Sequence, residues 1–231
     1  MNNLTILYLT ANEIPHSWAK RQIKILLKAA LDCPIISLSR KPMNLGTNIL
    51  DTEEKNYLNI YRQMLIGAKH ATTPYIAIAE DDVLYHKEHF IFHRPALDTF
   101  AYDMSRWSLY LWKPDMYSMK ARRSNCTLIA PRELLIAALE ERFEKYPTIE
   151  SYGNRQKFIG EVGRNLYEKH LGLTQWKNED VRCHVPCIQF NHWNGTDYKV
   201  NGDRKRLGEL KAYDIPYWGE ASKLAKLYEN N

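Results

Sequence analysis

Thr73-Pro74-Tyr75-Ile76-Ala77-Ile78-Ala79-Glu80-Asp81-Asp82-Val83 is the stretch that decides the fold. Thr73-Pro74 breaks the helical pattern before it, and Tyr75 to Ala79 is a short apolar run that predicts a strand. That strand runs directly into three consecutive carboxylates. Upstream, Tyr57, Ile60, Tyr61, Met64, Leu65 and Ala68 repeat at i, i+3, i+4, i+7 and predict a helix, with Asp51 and Glu54 at capping-box spacing. Before it come a polar loop, Ser39 to Gly46, a strand over Ile35 to Leu38, a basic helix from Ser17 to Leu31, and an opening strand from Leu4 to Thr10. Strand, helix, strand, helix, strand makes two βαβ units, whose right-handed crossovers place the strands in one parallel sheet with helices on its faces. Ligands of such sheets bind beyond the carboxyl ends of the strands, where Glu80-Asp81-Asp82 lies.

The second half is less regular. Trp107 to Trp112 and Asn125 to Ala130 read as strands, and Pro131 opens a helix over Arg132 to Lys145. A polar stretch from Thr148 to Lys157 precedes a short helix expected over Glu161 to His170, and Val181 to Phe190 reads as extended. The chain has 231 residues, 45% of them hydrophobic and 26% charged, with only 10 Gly and 10 Pro, which excludes disordered and collagen-like classes. The expectation is one domain over residues 1–231, with a donor and metal half to about 100 and an acceptor half beyond. No apolar run reaches the ~20 residues of a membrane span. The start lacks a basic n-region, and the four cysteines are too scattered for a disulfide scaffold, so a cytoplasmic location is expected.

Three adjacent carboxylates repel one another unless a cation offsets them, and oxygen ligands suit Mg²⁺ or Mn²⁺. An acidic turn at a sheet edge is the plain alternative. The order of strand, helix with Tyr61-Arg62-Gln63 and Gly67-Ala68, and strand ending in Glu80-Asp81-Asp82 resembles the nucleotide-sugar half of GT-A glycosyltransferases, especially family-2-like enzymes. The resemblance covers roughly residues 4 to 90 and extends to Asn125–Ala130 with Pro131-Arg132-Glu133-Leu134-Leu135. It implies a GT-A (Rossmann-like) α/β fold, with a mixed, mostly parallel sheet flanked by helices. It also implies a divalent cation and a nucleotide-diphosphate sugar, a UDP-sugar first. Residue by residue, Thr10-Ala11-Asn12 would form the nucleobase turn, Glu80 would lie near the ribose, Asp82 would hold the cation, and Asp81 would support either role. Arg21, Arg40, Lys41 and Arg62 are donor-side candidates for balancing phosphate charge, each with a solvated basic side chain as the alternative.

A late histidine often completes the metal shell in that family, and His192 in His192-Trp193-Asn194-Gly195, ahead of Lys199, is the candidate here, with His184 second. The proline-tryptophan expected after that motif is missing. Cys183-His184-Val185-Pro186-Cys187, with His192 beyond, can also be read as a zinc site or as a buried strand. Inverting transfer needs a general base, for which Glu161 is the first choice and Glu179 and Asp180 the next. Basic clusters at Lys120 to Arg123, Arg155 to Lys157 and Arg204 to Arg206, interleaved with Trp107, Tyr110, Trp112, Tyr117 and Tyr152, suggest DNA bearing a hydroxymethylated base as one acceptor. Saccharide, lipid-linked or protein acceptors are the others. Two further classes compete: a sugar nucleotidyltransferase, which calls for a Gly-rich loop that Ala11 to His16 lacks, and a non-catalytic nucleic-acid-binding protein, which leaves the carboxylates unexplained.

Overall fold

The computed structural model describes residues 3–119, 122–193 and 210–229. In chain order the elements are β1 (Leu4–Thr10), α1 (His16–Ala30), β2 (Ile35–Ser39), β3 (Thr47–Leu50), α2 (Asn59–His70), β4 (Tyr75–Glu80), β5 (Val83–Leu84), α3 (Lys87–Ile91), β6 (Thr99–Asp103), β7 (Arg106–Tyr110) and β8 (Lys113–Met119). There follow β9 (Leu128–Pro131), α4 (Arg132–Lys145), α5 (Asn165–Leu171), β10 (Lys177–Val181), β11 (Cys187–Asn191), β12 (Leu210–Ala212), β13 (Asp214–Ile215), β14 (Gly219–Glu220) and α6 (Ala221–Glu229).

Seven strands form the main sheet in the order β10-β6-β9-β4-β1-β2-β3. All neighbours run parallel except β9, which is antiparallel to both β4 and β6. The expected α/β architecture, a mixed and mostly parallel sheet flanked by helices, is what the chain adopts. β1 is buried along its whole length because both faces are covered. Leu7 and Leu9 join one apolar cluster with Met64 and Ala68 of α2, while Ile6 and Tyr8 join another with Leu26 of α1, following the period of two of a strand. Gly67 lets α2 approach: a Cβ there would lie 2.8 Å from a Leu7 methyl and 2.9 Å from one of Leu38.

A second sheet, β12-β8-β7-β11-β5, grows out of the first at the acidic stretch. The chain leaves the main sheet at Glu80, turns through Asp81-Asp82, and at once pairs β5 with β11. A third apolar cluster, including Trp18, Leu84, Leu109, Phe190 and Tyr228, fastens this sheet and α6 to α1. The acidic turn is therefore the joint between two sheets.

Several boundaries differ from expectation. β3 falls within a stretch too short and polar to signal a strand. α2 begins at Asn59, and Tyr57, 59% exposed, precedes it. Asp51 does not cap α2 but is buried, accepting from Asn59 and Gln63 side chains. Asn125–Thr127 is a 3₁₀ turn, and Pro131 closes β9 immediately before α4. The expected helix from Glu161 shortens to α5, and Val181 to Phe190 divides into the end of β10, a loop and β11.

Candidate functional site

Glu80, Asp81 and Asp82 form part of the wall of a cavity of about 390 Å³ at the carboxyl end of the central strands. Its lining also includes Thr10 and Ala11 after β1, Arg40, Asp51, Asn59 and Gln63, and, from the second half, Arg122, Ser124, Gln189, Asn191 and His192. Both sides of position 100 thus contribute.

The backbone of the acidic turn is pinned from α1. Gln22 Nε2 donates to the carbonyls of Glu80 (3.3 Å) and Val83 (2.9 Å), and its Oε1 accepts from Tyr8 (3.1 Å). Trp18 Nε1 donates to the carbonyl of Asp81 (3.1 Å). From the second sheet, Phe190 N donates to the carbonyl of Asp82 (2.8 Å), and Gln189 Nε2 to its Oδ2 (3.4 Å). Gln189 is itself oriented by Arg106, a buried cation whose guanidinium donates to its Oε1. With the turn held in this way, its carboxylates have little freedom to move apart.

That crowding sets the electrostatics. Burial, then the charge of Asp82, pushes the Asp81 carboxyl up to about 7, against a hydrogen bond from the Thr10 hydroxyl that pulls it down. Glu80 is held well above the usual carboxylate range by burial and by Asp82 and Asp81, with Arg106 opposing.

The nucleobase-turn candidates divide by role. Thr10 and Ala11 line the cavity. Asn12 adopts φ +55°, a conformation asparagine tolerates, and its Oδ1 accepts from the backbone N–H groups of Arg40 and Lys41, both at 2.8 Å. It therefore ties the loop after β1 to the loop after β2 and carries Arg40 into the lining, whereas Lys41 is outside it. Arg21 is on the exposed face of α1, and Arg62 donates to the Pro147 carbonyl (2.8 Å) and faces away from the cavity. His192 follows β11 into the lining, its ring 5.8 Å from that of Tyr228.

Neither proposed base is in the cavity lining, although the charge of Glu161 acts on Glu80. Glu161 lies in the loop before α5 and pairs with Arg164 (3.3 Å), and Asp180 on edge strand β10 pairs with Arg123 (2.7 Å). Glu179, the other runner-up, pairs with His93 (2.6 Å). The zinc reading over Cys183, His184, Cys187 and His192 is not assembled. His184 is exposed and bonded to Glu88 (2.6 Å), while His192 is at the cavity. Among the described residues one trio, His89, Asp103 and Cys187, brings metal-ligating atoms within 4.8 Å of one another, sealed in the core. Of the basic and aromatic residues expected to meet DNA, Arg122, Arg155 and Lys157 are exposed, but the aromatic side chains described are not. Tyr110 and Tyr152 are buried, Trp107 and Trp112 are half-buried, and Arg123 is tied to Asp180. Lys120, Ala121, Asn194, Gly195, Lys199, Arg204, Lys205, Arg206 and the side chain of Tyr117 lie outside the described residues.

Sequence reasoning missed Asp51, Asn56, Asn59 and Gln63 in the cavity lining. Asp51 Oδ2 accepts from Gln63 (2.8 Å) and Asn59 (3.3 Å) there. It also missed Gln22, whose signal is a glutamine at the centre of the buried stripe Trp18, Gln22, Leu26. No helix of the described chain is long and apolar enough to cross a membrane.

No protein-family model matches this chain, and no curated protein matches it. Solved structures do. Mannosyltransferase PcManGT from Pyrobaculum calidifontis, solved with GDP-Man and Mn²⁺, is 12% identical at a TM-score of 0.44, over 81% of this chain and 56% of that one. A glycosyltransferase involved in glycosylation of the major capsid of PBCV-1 is 10% identical at a TM-score of 0.44, over 80% and 91%. The bifunctional IspDF from Campylobacter jejuni is 9% identical at 0.41, over 79% and 50%. The chain spans only about half the length of the first and last of these proteins. GT-A-type glycosyltransferases are therefore among the structures this chain is similar to, at a distance where the likeness carries no argument about chemistry.

Proposed function

We propose that this chain is a glycosyltransferase that moves a sugar from a nucleotide-diphosphate sugar to a hydroxyl acceptor, with a divalent cation held at the acidic turn. The single observation that carries the reading is that Glu80, Asp81 and Asp82 share one cavity wall with His192 and repel one another, while no three ligand atoms among these four lie within 4.8 Å, so an ion would have to draw them together. Holding a carboxyl at about 7 opposes ionisation at neutral pH, and a site keeps such an arrangement when an external cation offsets it. The donor set fits Mg²⁺ or Mn²⁺: hard carboxylate oxygens with one imidazole, and room in the cavity for the phosphate oxygens that such ions share with the protein.

In this reading Asp82 and His192 hold the ion, and Asp81, fixed by Thr10 and Trp18, supports them. The chemistry supplied by the ion when bound is Lewis-acid stabilisation of the negative charge that develops on the departing diphosphate. Arg40, and Arg122 from the second half, line the same cavity and add positive charge toward the phosphates. Asp51, Asn59 and Gln63 present a carboxylate and amides in that lining, a hydrogen-bonding surface suited to a nucleobase or ribose. Residues 1 to about 100 then supply most of the donor side, joined there by Arg122 and His192, and the rest of the second half supplies the acceptor side. Glu161, whose charge acts on Glu80, is the first candidate for the base of an inverting transfer, with Asp180 behind it.

The test is a thermal-shift screen of UDP, GDP, CDP and their sugars with and without Mn²⁺. A ligand at ~100 times its Kd adds ~2.7 kcal/mol, so one nucleotide should raise Tm clearly and only with the ion. A chain indifferent to all of them in both conditions is not this enzyme.

A further inference from the structure

The hairpin of β13 and β14 breaks a local rule in plain view of solvent. Trp218 N donates to the Ile215 carbonyl (3.1 Å), closing a four-residue turn with Pro216 second and Tyr217 third. Tyr217 has φ +78°, the left-handed value of a type II turn, whose third position favours glycine. A bulky residue there carries strain, which persists where the surroundings compensate or a function retains it. Burial does not compensate, because Tyr217 is 68% exposed.

What the strain achieves is a fixed aromatic corner. The Tyr217 ring meets the edge of His86 at 4.6 Å and 62°, and that of Trp218 at 4.9 Å and 88°. Trp218 is anchored in turn, its Nε1 donating to the Pro186 carbonyl at 2.7 Å. His86 stands four residues past Asp82, so chain length keeps its Cα within about 14 Å of that of Asp82, with the Tyr217 ring one side-chain contact further on. The hairpin's own charged side chains are Asp214 and Glu220, the latter paired with Lys223 (2.8 Å). With Glu220 paired to Lys223 and Lys87 beside His86, the corner carries no strong excess of either charge, which suits a neutral ligand better than a phosphate backbone.

We propose that Tyr217, framed by His86 and Trp218, is a stacking platform for a neutral saccharide. This rests on the glycosyltransferase reading in one respect: it makes that saccharide the acceptor. Flat aromatic faces with polar edges match the apolar face and hydroxyl rim of a sugar ring. The step is binding only, with no bond made at the platform.

Y217G separates this from a structural role. Glycine suits the turn, so Y217G should raise Tm by about 2 °C. It should also weaken binding to an array of gluco-, xylo-, galacto- and chito-oligosaccharides by about tenfold. The Tm gain on adding nucleotide and Mn²⁺ should stay the same. A lowered Tm in Y217G would make Tyr217 structural and overturn the proposal. So would wild-type binding to none of these sugars, binding that Y217G leaves unchanged, or Tyr217-dependent binding to single-stranded DNA or phosphatidylglycerol vesicles instead. If no nucleotide shifts the wild type while Y217G still loses the sugar, the platform stands and the glycosyltransferase reading falls.

Discussion

Asp81 and Asp103 are both aspartates at the carboxyl ends of main-sheet strands, and the protein treats them in opposite ways. Asp103 accepts from His89 Nδ1 (3.1 Å) and from the backbone of Ser105 (2.8 Å) and Cys183 (3.3 Å), with the Cys183 thiol as a further donor. Although burial pushes the other way, these donors hold its carboxyl down to about 2. Asp81 has the Thr10 hydroxyl and two neighbouring carboxylates, and stands at about 7. A carboxylate that the fold supplies with donors holds loops in place. One that the fold crowds, at a cavity, is prepared for something from outside. The trio of His89, Asp103 and Cys187 accordingly reads as a structural knot joining α3, β6 and β11.

The sharpest way to break this contrast is Asp82→Ala. Sugar transfer or donor hydrolysis should fall by about 10³-fold, the order seen when charge stabilisation of a leaving group is lost. Tm without added metal should hold or rise, because a source of repulsion is gone. Activity that survives in Asp82→Ala removes the central claim.

Asp103→Asn tests the other side. It leaves His89 facing a neutral partner in the core, and stability should drop by about 3 kcal/mol in urea unfolding at pH 7. Transfer by the protein that remains folded should be unaffected. A harmless Asp103→Asn would mean that the knot does not hold the sheets together.

The two regions also predict opposite pH slopes. For Asp81 the folded pKa is raised, so between about 4 and 7 the unfolded chain loses its proton while the native one keeps it, and stability falls as pH rises. Glu80, shifted the same way, adds to that slope. For Asp103 the folded pKa is lowered to about 2, so its contribution is present above about 4 and is lost as pH falls toward 2. Metal-free protein should therefore be most stable near pH 4 to 5 as far as these groups decide it. Asp81→Asn should flatten the upper limb and Asp103→Asn the lower. Because the ion binds ionised carboxylates, the gain in Tm from Mn²⁺ should be larger at pH 7.5 than at 5.5.

The sequence made one half of this contrast visible and hid the other. An apolar strand running into Glu80-Asp81-Asp82 is a local pattern, so the turn and its sheet follow from neighbouring residues, while the cavity also needs distant ones such as Arg122, Gln189 and Asn191. Asp103 depends on His89 and Cys183, the latter 80 positions away, and nothing in its own surroundings marks it. Glu161 and Asp180 were chosen from their places in predicted elements, which could not show their arginine partners Arg164 and Arg123 or the reach of the Glu161 charge to Glu80. Asp51 was read as a cap because the short strand before it gave no signal.

The smallest effect tests how the crowding is enforced. Trp18 belongs to the core between α1 and the second sheet, its ring centroid 4.3 Å from Phe190. Its indole N–H also donates to the Asp81 carbonyl. Trp18→Phe removes the donor and part of the ring, so stability should fall by about 1–2 kcal/mol. Gln22→Met separates the two contributions: it keeps the volume of the buried stripe and deletes the hydrogen bonds to Glu80 and Val83 together with the one accepted from Tyr8. If the turn is held in a repulsive geometry, freeing it lets the carboxylates spread. Gln22→Met should then weaken Mn²⁺ binding and shrink the difference in stability between pH 5 and 7, on top of a pH-independent loss from the unsatisfied Tyr8 hydroxyl. An unchanged pH dependence would mean that the repulsion comes from the sequence of three acids alone, with no contribution from the scaffold that clamps them.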